Sequence, residues 1–354
     1  MKKQFVLLNF GAPRTQEEIG KFLKDLFGDK YIFDLPLPEF FRKRLGRFIA
    51  ERRVSKVKAS YAAMGFGGGS PLYDNTLEQA KAVQAYLKAR TGEDWDYKVG
   101  MSCGEPNLSG FDPGDLVPNS GNVIVPLFPQ YSRSTVLSMN RQIENITGFC
   151  PANPEKRKCS GCASSEKGRG YCSEEFSGWV PPFFRDSEYI EACTDQIVDF
   201  LSGRIEGSSA VPDWSGITLL FSAHGIPMRL VKKGDSYPQE AEENVRMFEK
   251  SLRTKGFRGK VCLSYQSRVG PAKWTEPSTP DMLRKLASEN QKRIAVYPVS
   301  FVSDHLETLF EIGVEFRELA HHAGIQEFYR IPAPGIYPKF ISFLGNRILK
   351  ASMM

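Results

Sequence analysis

The sequence predicts an α/β protein built on parallel sheets, and three observations carry that reading. Short apolar runs alternate with longer helical patterns along the chain, the arrangement that gives parallel strands joined by right-handed crossovers. Runs such as Ile217-Thr218-Leu219-Leu220-Phe221 and Ile294-Ala295-Val296-Tyr297 lack polar alternation, as strands covered on both faces do. The chain also restarts. Leu7-Leu8-Asn9-Phe10-Gly11 and Leu219-Leu220-Phe221-Ser222-Ala223-His224-Gly225 are each an apolar strand closing in a small-residue turn. Two related α/β halves facing a shared cleft would produce this, and so would a chance likeness of two buried strands.

Taken in order, the first strand is expected at Gln4–Phe10. Its apolar run is only about six residues long and no small-residue cleavage site follows, so it reads as a strand and not a signal peptide. A helix follows at Thr15–Phe27, then a helix at Asp74–Arg90, strands at Tyr97–Cys103 and Asn122–Phe128, and a helix at Arg133–Ile146. Beyond a segment rich in Cys, Gly, Ser and Lys come a helix at Ser187–Leu201 and a strand at Gly216–Ala223. Then follow helix Pro238–Lys255, strand Lys260–Gln266, helix Pro280–Asn290, strand Arg293–Ser300, helix Asp304–His321, strand Gln326–Ile331 and helix Tyr337–Ala351. The natural division is the cysteine-rich stretch, which gives 1–149, an insertion at 150–177, 178–333 and a terminal helix at 334–354.

A chain of 354 residues holds about two domains at roughly 100–200 residues each. With 41% hydrophobic and 25% charged residues it has the composition of a globular protein. The net charge of +6 favours an acidic ligand or an anionic surface. No helix-turn-helix, zinc-finger or RNA-reading motif is present, so no nucleic-acid partner is expected. No apolar stretch approaches the ~18 residues of a membrane span. The expected location is the cytoplasm, with peripheral attachment to the inner face of the membrane as the alternative.

The chemistry gathers after the later strands. His224, in Ser222-Ala223-His224-Gly225-Ile226-Pro227, and His305, in Ser303-Asp304-His305-Leu306-Glu307-Thr308-Leu309-Phe310-Glu311, are two of four histidines. Both fall where open α/β sheets build their sites. Blander readings exist for each. His224 could cap the next helix, and Ser303 or Asp304 could be an N-cap with Glu307 in capping-box spacing. Glu307 and Glu311 lie four apart and share a helix face, where stacked carboxylates repel unless protons or a cation pass along them. Gln266, Ser267 and Arg268 precede Gly270-Pro271 and could bond a substrate or position the loop; Arg268 could pair with a carboxylate. Trp274 suits a core as well as a ligand-stacking surface.

Three further features stand apart. Gly65-Phe66-Gly67-Gly68-Gly69-Ser70-Pro71-Leu72 lacks the ending of a P-loop and the spacing of a dinucleotide fingerprint. Leu35–Ile49 mixes aromatic and aliphatic residues with cations, which reads either as a membrane-surface stretch or as a helix with solvated charges. Of seven cysteines, Cys103, Cys193 and Cys262 suit reduced core positions. Cys150, Cys159, Cys162 and Cys172 form C-x8-C-x2-C-x9-C, and four thiolates suit tetrahedral zinc or a [2Fe–2S] cluster equally.

Together with Tyr265-Gln266-Ser267-Arg268-Val269-Gly270-Pro271 and Trp274, the two histidine segments closely resemble ferrochelatases, the lyases that insert ferrous iron into a porphyrin. The resemblance runs from Leu7-Leu8-Asn9-Phe10-Gly11 to the C-terminal helix. It implies the chelatase fold, two Rossmann-like lobes with parallel sheets enclosing a porphyrin cleft, the terminal helix returning to the first lobe. The substrates it implies are Fe²⁺ and protoporphyrin IX, whose two pyrrole protons are released as haem forms. A histidine suits the proton-accepting task, with an ordinary pKa of about 6.5 and a neutral form that also binds metal.

By the same resemblance His224 and Glu307 are catalytic and bind the incoming Fe²⁺, base first for His224. Glu311 lies on the metal path behind them and His305 supports. Phe10, Ser70, Tyr131, Gln266, Ser267, Arg268, Trp274 and His305 meet the substrate. Phe10 stands where relatives hold Met or Tyr, and it cannot ligate metal. The Leu35–Ile49 segment matches an apolar lip, so a membrane surface is an expected partner; a homodimer is an allowed assembly. The motif around Gln266, with Trp274, is similar to the protoporphyrin-using branch.

Some ferrochelatases carry a [2Fe–2S] cluster, which the resemblance extends to the four cysteines, with zinc as the alternative. The animal ligand set is missing: Tyr131-Ser132-Arg133-Ser134-Thr135 has no cysteine, and the chain ends at Met353-Met354. The internal insertion resembles an arrangement in some bacterial members. Other readings are a chelatase for another tetrapyrrole or metal, and a non-catalytic porphyrin or haem carrier.

Overall fold

A computed structural model describes residues 3–119, 121–148 and 177–354. The chain forms two compact units, each with its own parallel sheet. One is Met1–Pro182 with Lys233–Ser236 and Leu344–Met354; the other is Phe183–Lys232 with Tyr237–Phe343.

In the first unit, β1 (Lys3–Asn9) lies between β2 (Trp95–Met101) and β3 (Asn122–Pro126), all parallel. Phe5, Val6, Leu7 and Leu8 are completely buried, the both-faces-covered strand expected from an uninterrupted apolar run. The connections are α1 (Ile19–Gly28), α2 (Glu39–Ala63) and α3 (Leu72–Thr91), with α4 (Ser138–Thr147) after β3. The expected strand ends at Cys103 and Phe128 run past the ladder, and the first helix begins at Ile19 instead of Thr15. The expected helix Arg133–Ile146 opens with π-helical Arg133–Leu137, held by Ser132, whose side chain accepts from Ser134 N.

The unit boundary lies at Pro182, a few residues beyond the expected start of the second lobe at 178. The reason is backbone bonding. Ile124 N donates to Gly178 O at 2.8 Å and Val180 N to Ile124 O at 3.0 Å, seating Trp179 in the first unit's core. Residues from Leu344 onward also belong there. Asn346 Oδ1 accepts from Tyr86 Oη at 2.8 Å and Ala351 O from Gly178 N at 2.9 Å.

The second unit holds a four-stranded parallel sheet in the order β5–β4–β6–β7: β4 (Thr218–His224), β5 (Val261–Gln266), β6 (Arg293–Tyr297) and β7 (Glu327–Arg330). Around it lie α5 (Ser187–Leu201), α6 (Met228–Lys232), α7 (Tyr237–Thr254), α8 (Thr279–Ser288), α9 (Arg317–Ala323) and α10 (Pro338–Ser352), the last crossing the boundary between Phe343 and Leu344. Leu219, Leu220 and Phe221 are fully buried; each contributes about 1.5–3 kcal/mol over an exposed counterpart. The expected α-helix Asp304–His321 is instead π-helical over Glu307–Phe316 and α-helical only from Arg317. Wider π turns are uncommon and concentrate at functional sites. Among the described residues, no helix is long and apolar enough to cross a membrane.

Candidate active site at the ends of β4, β5 and β6

The parallel register pairs His224 of β4 with Gln266 of β5, so both stand side by side at the carboxyl edge of the second unit's sheet. Gly225 follows at once. A Cβ there would lie 2.7 Å from Gln266 O and 3.4 Å from the Trp274 ring, so only glycine lets the chain turn this close. Gly225 N donates to Gln266 O at 2.8 Å, locking the turn that presents His224. From β6, the chain runs through Phe301 to His305 and the π-helical stretch that opens at Glu307.

Glu307 is the meeting point. Its Oε1 stands 3.5 Å from His224 Nε2, and its Oε2 stands 2.8 Å from His305 Nε2. The other nitrogen of each ring faces a backbone carbonyl: His224 Nδ1 on Gly225 O at 2.6 Å, His305 Nδ1 on Ser303 O at 3.0 Å. A carbonyl only accepts, so both Nδ1 atoms carry hydrogen and each Nε2 is the nitrogen that gains or loses a proton. A bare Nε2 cannot sit 2.8 Å from a carboxylate, so one proton resides between His305 and Glu307.

The electrostatics agree. Burial pushes the Glu307 carboxyl up, but the two imidazoles outweigh it and hold the group far below the usual carboxylate range. Burial pushes both histidines down, and Glu307, joined by Glu311 and the Gly225 carbonyl at His224 and by the Ser303 carbonyl and Asp304 at His305, turns both net shifts upward. The His224 and Glu307 side chains remain 35% and 31% exposed, against 12% for His305. The first two are open to a substrate; the third is a buttress. The Phe301 ring packs edge-on to both imidazoles, its centroid 4.6 Å from His305 and 6.3 Å from His224.

Glu311 is held differently. It accepts from Gln266 Nε2 at 3.0 Å, Ser267 N at 2.8 Å and Ser267 Oγ at 2.5 Å. Ser267 takes a left-handed backbone, φ 64°, which turns both of its donors onto that carboxylate. Burial, together with the neighbouring Glu307, raises the Glu311 carboxyl by more than these donors lower it. Among the described residues, no group of three or more His, Cys, Asp or Glu is placed to hold a metal ion.

Several expectations change on this geometry. Gln266 is 1% exposed, with its amide bonded to Ser222, Glu307 O and Glu311, so it has no face for a substrate. Ser267 spends its hydroxyl hydrogen on Glu311. The helix after His305 is capped by no side chain, and Asp304 instead accepts from Arg330 and from Ala333 N. Arg268 is exposed, and Trp274 is half-buried with Nε1 donating to Val269 O at 3.1 Å. Sequence reasoning missed Phe301, Ser264 and Thr279. Ser264 is set beside Ser222 by sheet register, and Thr279 reaches both hydroxyls from the first turn of α8; no local motif reports either.

The expected substrate contacts Phe10, Ser70 and Tyr131 belong to the first unit, each in a connection outside its three strands. Phe10 lies half-buried at the end of β1, against the core that contains Tyr131. Tyr131 is fully buried in that core. Ser70 Oγ accepts from Leu72 N at the start of α3, and Ser70 N donates to Pro13 O. A Cβ on Gly69 would lie 1.8 Å from Arg14 O. The glycine turn is thus required by its own neighbouring loop. Cys150, Cys159, Cys162 and Cys172 lie outside the described residues.

Parallel sheets with a histidine–carboxylate pair at the strand ends place the chain among the α/β chelatase folds. Over 99% of its length it aligns with a multi-domain protein of Deinococcus radiodurans described as structurally similar to chelatases, with a TM-score of 0.50 and 12% identity. That likeness is one of fold alone, and the chain spans 55% of that larger chain. The chain belongs to the ferrochelatase family, whose profile matches residues 2–352. It is 47% identical to a ferrochelatase of Leptospira borgpetersenii over 98% of this chain and 91% of the relative. Identity is 35% to the ferrochelatase of Aquifex aeolicus, over 98% and 99%, and 37% to that of a Synechococcus strain, over 97% and 91%.

Proposed function

We propose that the chain inserts Fe²⁺ into protoporphyrin IX, releasing two protons and forming protohaem. The observation that carries this is Glu307 shared between His224 and His305, one imidazole open and one buttressed. With Nδ1–H committed to Gly225 O, His224 presents Nε2 to a pyrrole N–H as proton acceptor. Glu307 steadies the imidazolium that forms. The same pair suits passage of the metal substrate. Divalent first-row ions lie about 2.0–2.2 Å from nitrogen and oxygen donors, so atoms 3.5 Å apart can both reach one ion. A proton on this pair and an arriving cation therefore compete, which couples proton release to insertion. Glu311, kept higher in pKa behind Glu307, suits a second stage of that path.

The four cysteines are proposed to hold a [2Fe–2S] cluster, with zinc as the alternative. The support is their donor set: four thiols within a Lys-, Gly- and Ser-rich segment that has little to bury. Visible absorption with iron, sulfide and zinc analysis of the purified protein distinguishes the two.

Peripheral attachment to the cytoplasmic face of a membrane is also proposed. On α2, Phe40, Phe41 and Phe48 are 69%, 59% and 50% exposed, interleaved with exposed Lys43, Arg44, Arg47 and Arg52. The Arg52 guanidinium lies 4.3 Å from the Phe48 ring centroid. Apolar rings beside cations on one helix fit an anionic lipid surface.

The deciding experiment is anaerobic Fe²⁺ insertion into protoporphyrin IX, followed by loss of porphyrin fluorescence, with His224→Ala and Glu307→Gln beside wild type. The expected result is wild-type turnover and losses on the order of 10²–10⁴-fold in both variants. Porphyrin binding without insertion by wild type would make the chain a carrier. Full activity of both variants would remove the site.

A further inference from the structure

We propose that Gln266 is a positioning residue for Glu307: a buried amide that sets where Glu307 stands and touches no substrate. The inference rests on the ferrochelatase reading and extends it to a polar network that the reading does not otherwise use. Gln266, Ser222, Ser264 and Thr279 are all 1% exposed or less. Buried polar atoms of this kind are costly unless paired, and pairing them all fixes one geometry.

The direction of every bond follows from one constraint. Gln266 Oε1 can only accept, so Ser222 Oγ donates to it at 2.6 Å. With its hydrogen committed, Ser222 accepts from Thr279 Oγ1 at 3.1 Å, and Thr279 accepts from Ser264 Oγ at 2.9 Å. The amide nitrogen is thereby aimed the other way. Its two hydrogens go to Glu307 O at 2.9 Å and Glu311 Oε2 at 3.0 Å. The flipped amide would set its oxygen against two acceptors, so Glu307 O and Glu311 Oε2 select this orientation and the chain of hydroxyls completes it.

The consequence falls on Glu307. The π-helical stretch that begins there has no side-chain cap, and the Gln266 bond to its carbonyl ties its first turn to the strand carrying His224's register partner. Loss of that tie lets the carboxylate drift from His224. A displacement of about 1 Å in such a pair can cost on the order of 100-fold in rate.

The test measures kcat for Fe²⁺ insertion and, separately, the Kd of metal-free protoporphyrin IX by fluorescence. Gln266→Met keeps the length of the side chain and removes its three bonds. The expected result is a kcat loss on the order of 100-fold, with porphyrin Kd held within about two-fold. Thr279→Val, which keeps shape and removes the hydroxyl, is expected to lose about 5-fold, and Thr279→Ser to restore wild-type kcat. Unchanged kcat in Gln266→Met overturns the proposal. So does a weakened porphyrin Kd with kcat intact, which would make Gln266 a substrate contact. Equal loss in both Thr279 variants would assign the effect to packing. If Gln266→Met fails to fold, the Thr279 pair decides alone. Absence of insertion by wild type would strike the ferrochelatase reading itself and is visible before any variant is measured.

Discussion

Two strands of this protein occupy the same place in two sheets and end in opposite chemistry. β1 lies between two parallel neighbours and closes in Asn9; β4 lies between two parallel neighbours and closes in His224. Asn9 is 7% exposed and closed in on itself: its Nδ2 donates to Thr76 Oγ1 at 3.1 Å, and its Oδ1 accepts from Phe10 N at 2.8 Å. His224 spends Nδ1 on its own turn and leaves Nε2 toward Glu307, with about a third of the side chain open. Architecture alone therefore makes a strand end available, and the partners of the last polar atom decide whether it is structure or chemistry.

That contrast can be broken by exchanging the expected losses. His224→Ala should lower insertion on the order of 10³-fold with little change in urea stability, since it removes an open base and no core contact. Asn9→Ala should do the reverse, costing about 1–3 kcal/mol of stability by leaving buried groups unpaired while the rate per folded molecule persists. Both are read from one preparation by urea titration and insertion assay. Large activity loss in Asn9→Ala would show that both strand ends are chemical.

The two close glycine turns sharpen the same point. Gly69→Ala is expected to destabilise by roughly 1–3 kcal/mol, the range of a forced overpacking, because the new Cβ meets the Arg14 carbonyl. Gly225→Ala meets Gln266 O and displaces His224 with it, so its kcat should fall further than its melting temperature implies. Equal proportions of damage in the two variants would erase the distinction.

A smaller effect is expected from α2. Phe41→Ser with Phe48→Ser should weaken sedimentation with anionic phosphatidylglycerol vesicles several-fold, on the order of 1–2 kcal/mol of lost burial. Turnover of porphyrin presented in detergent should persist. Unchanged vesicle binding would leave those rings without a lipid role.

The smallest effect concerns pH. The raised histidines contribute stability that is full below their ordinary 6.5 and is lost as pH rises through the folded values. The lowered Glu307 contributes stability that is full above its ordinary 4.5 and is lost as pH falls through its folded value. The penalty of Glu307→Gln in urea should thus be greatest between those two pH values and shrink on either side. Partial exposure of the pair screens its size. Proton NMR of the His224 ring should show titration above 6.5 in wild type, moving downward in Glu307→Gln. No movement would mean that the carboxylate does not hold the proton there.

Much of the site was legible because its residues are chemically distinctive and fall next to strand ends. His224, His305, Glu307 and Glu311 all stand in short motifs after apolar runs, and strand position follows from hydrophobic patterning alone. Their roles were less legible. Gln266 read as a substrate contact because a glutamine beside Ser-Arg has the right donors; the ladder pairing it with His224 buries it instead. Glu307 and Asp304 fit a capping box by spacing, but the carboxylate of Asp304 goes to Arg330 and Ala333, and that of Glu307 goes to the two imidazoles. A local pattern cannot report such long-range competitors.

What the sequence determined by itself was the inventory: alternating strands and helices, two apolar restarts, and a histidine and carboxylates placed at strand ends. Those follow from short-range physics, since burial periodicity and turn chemistry involve residues close in the chain. What only the tertiary structure decided was which nitrogen of each histidine faces Glu307 and that this carboxylate is shared. It also decided that the stretch from Glu307 is π-helical and that Gln266 sits between three buried hydroxyls and the acceptors Glu307 O and Glu311. The contact of Glu307 with His224 and the bonds of Gln266 depend on partners many residues away that only the fold brings within reach, whereas each Nδ1 is held by a carbonyl one or two residues away.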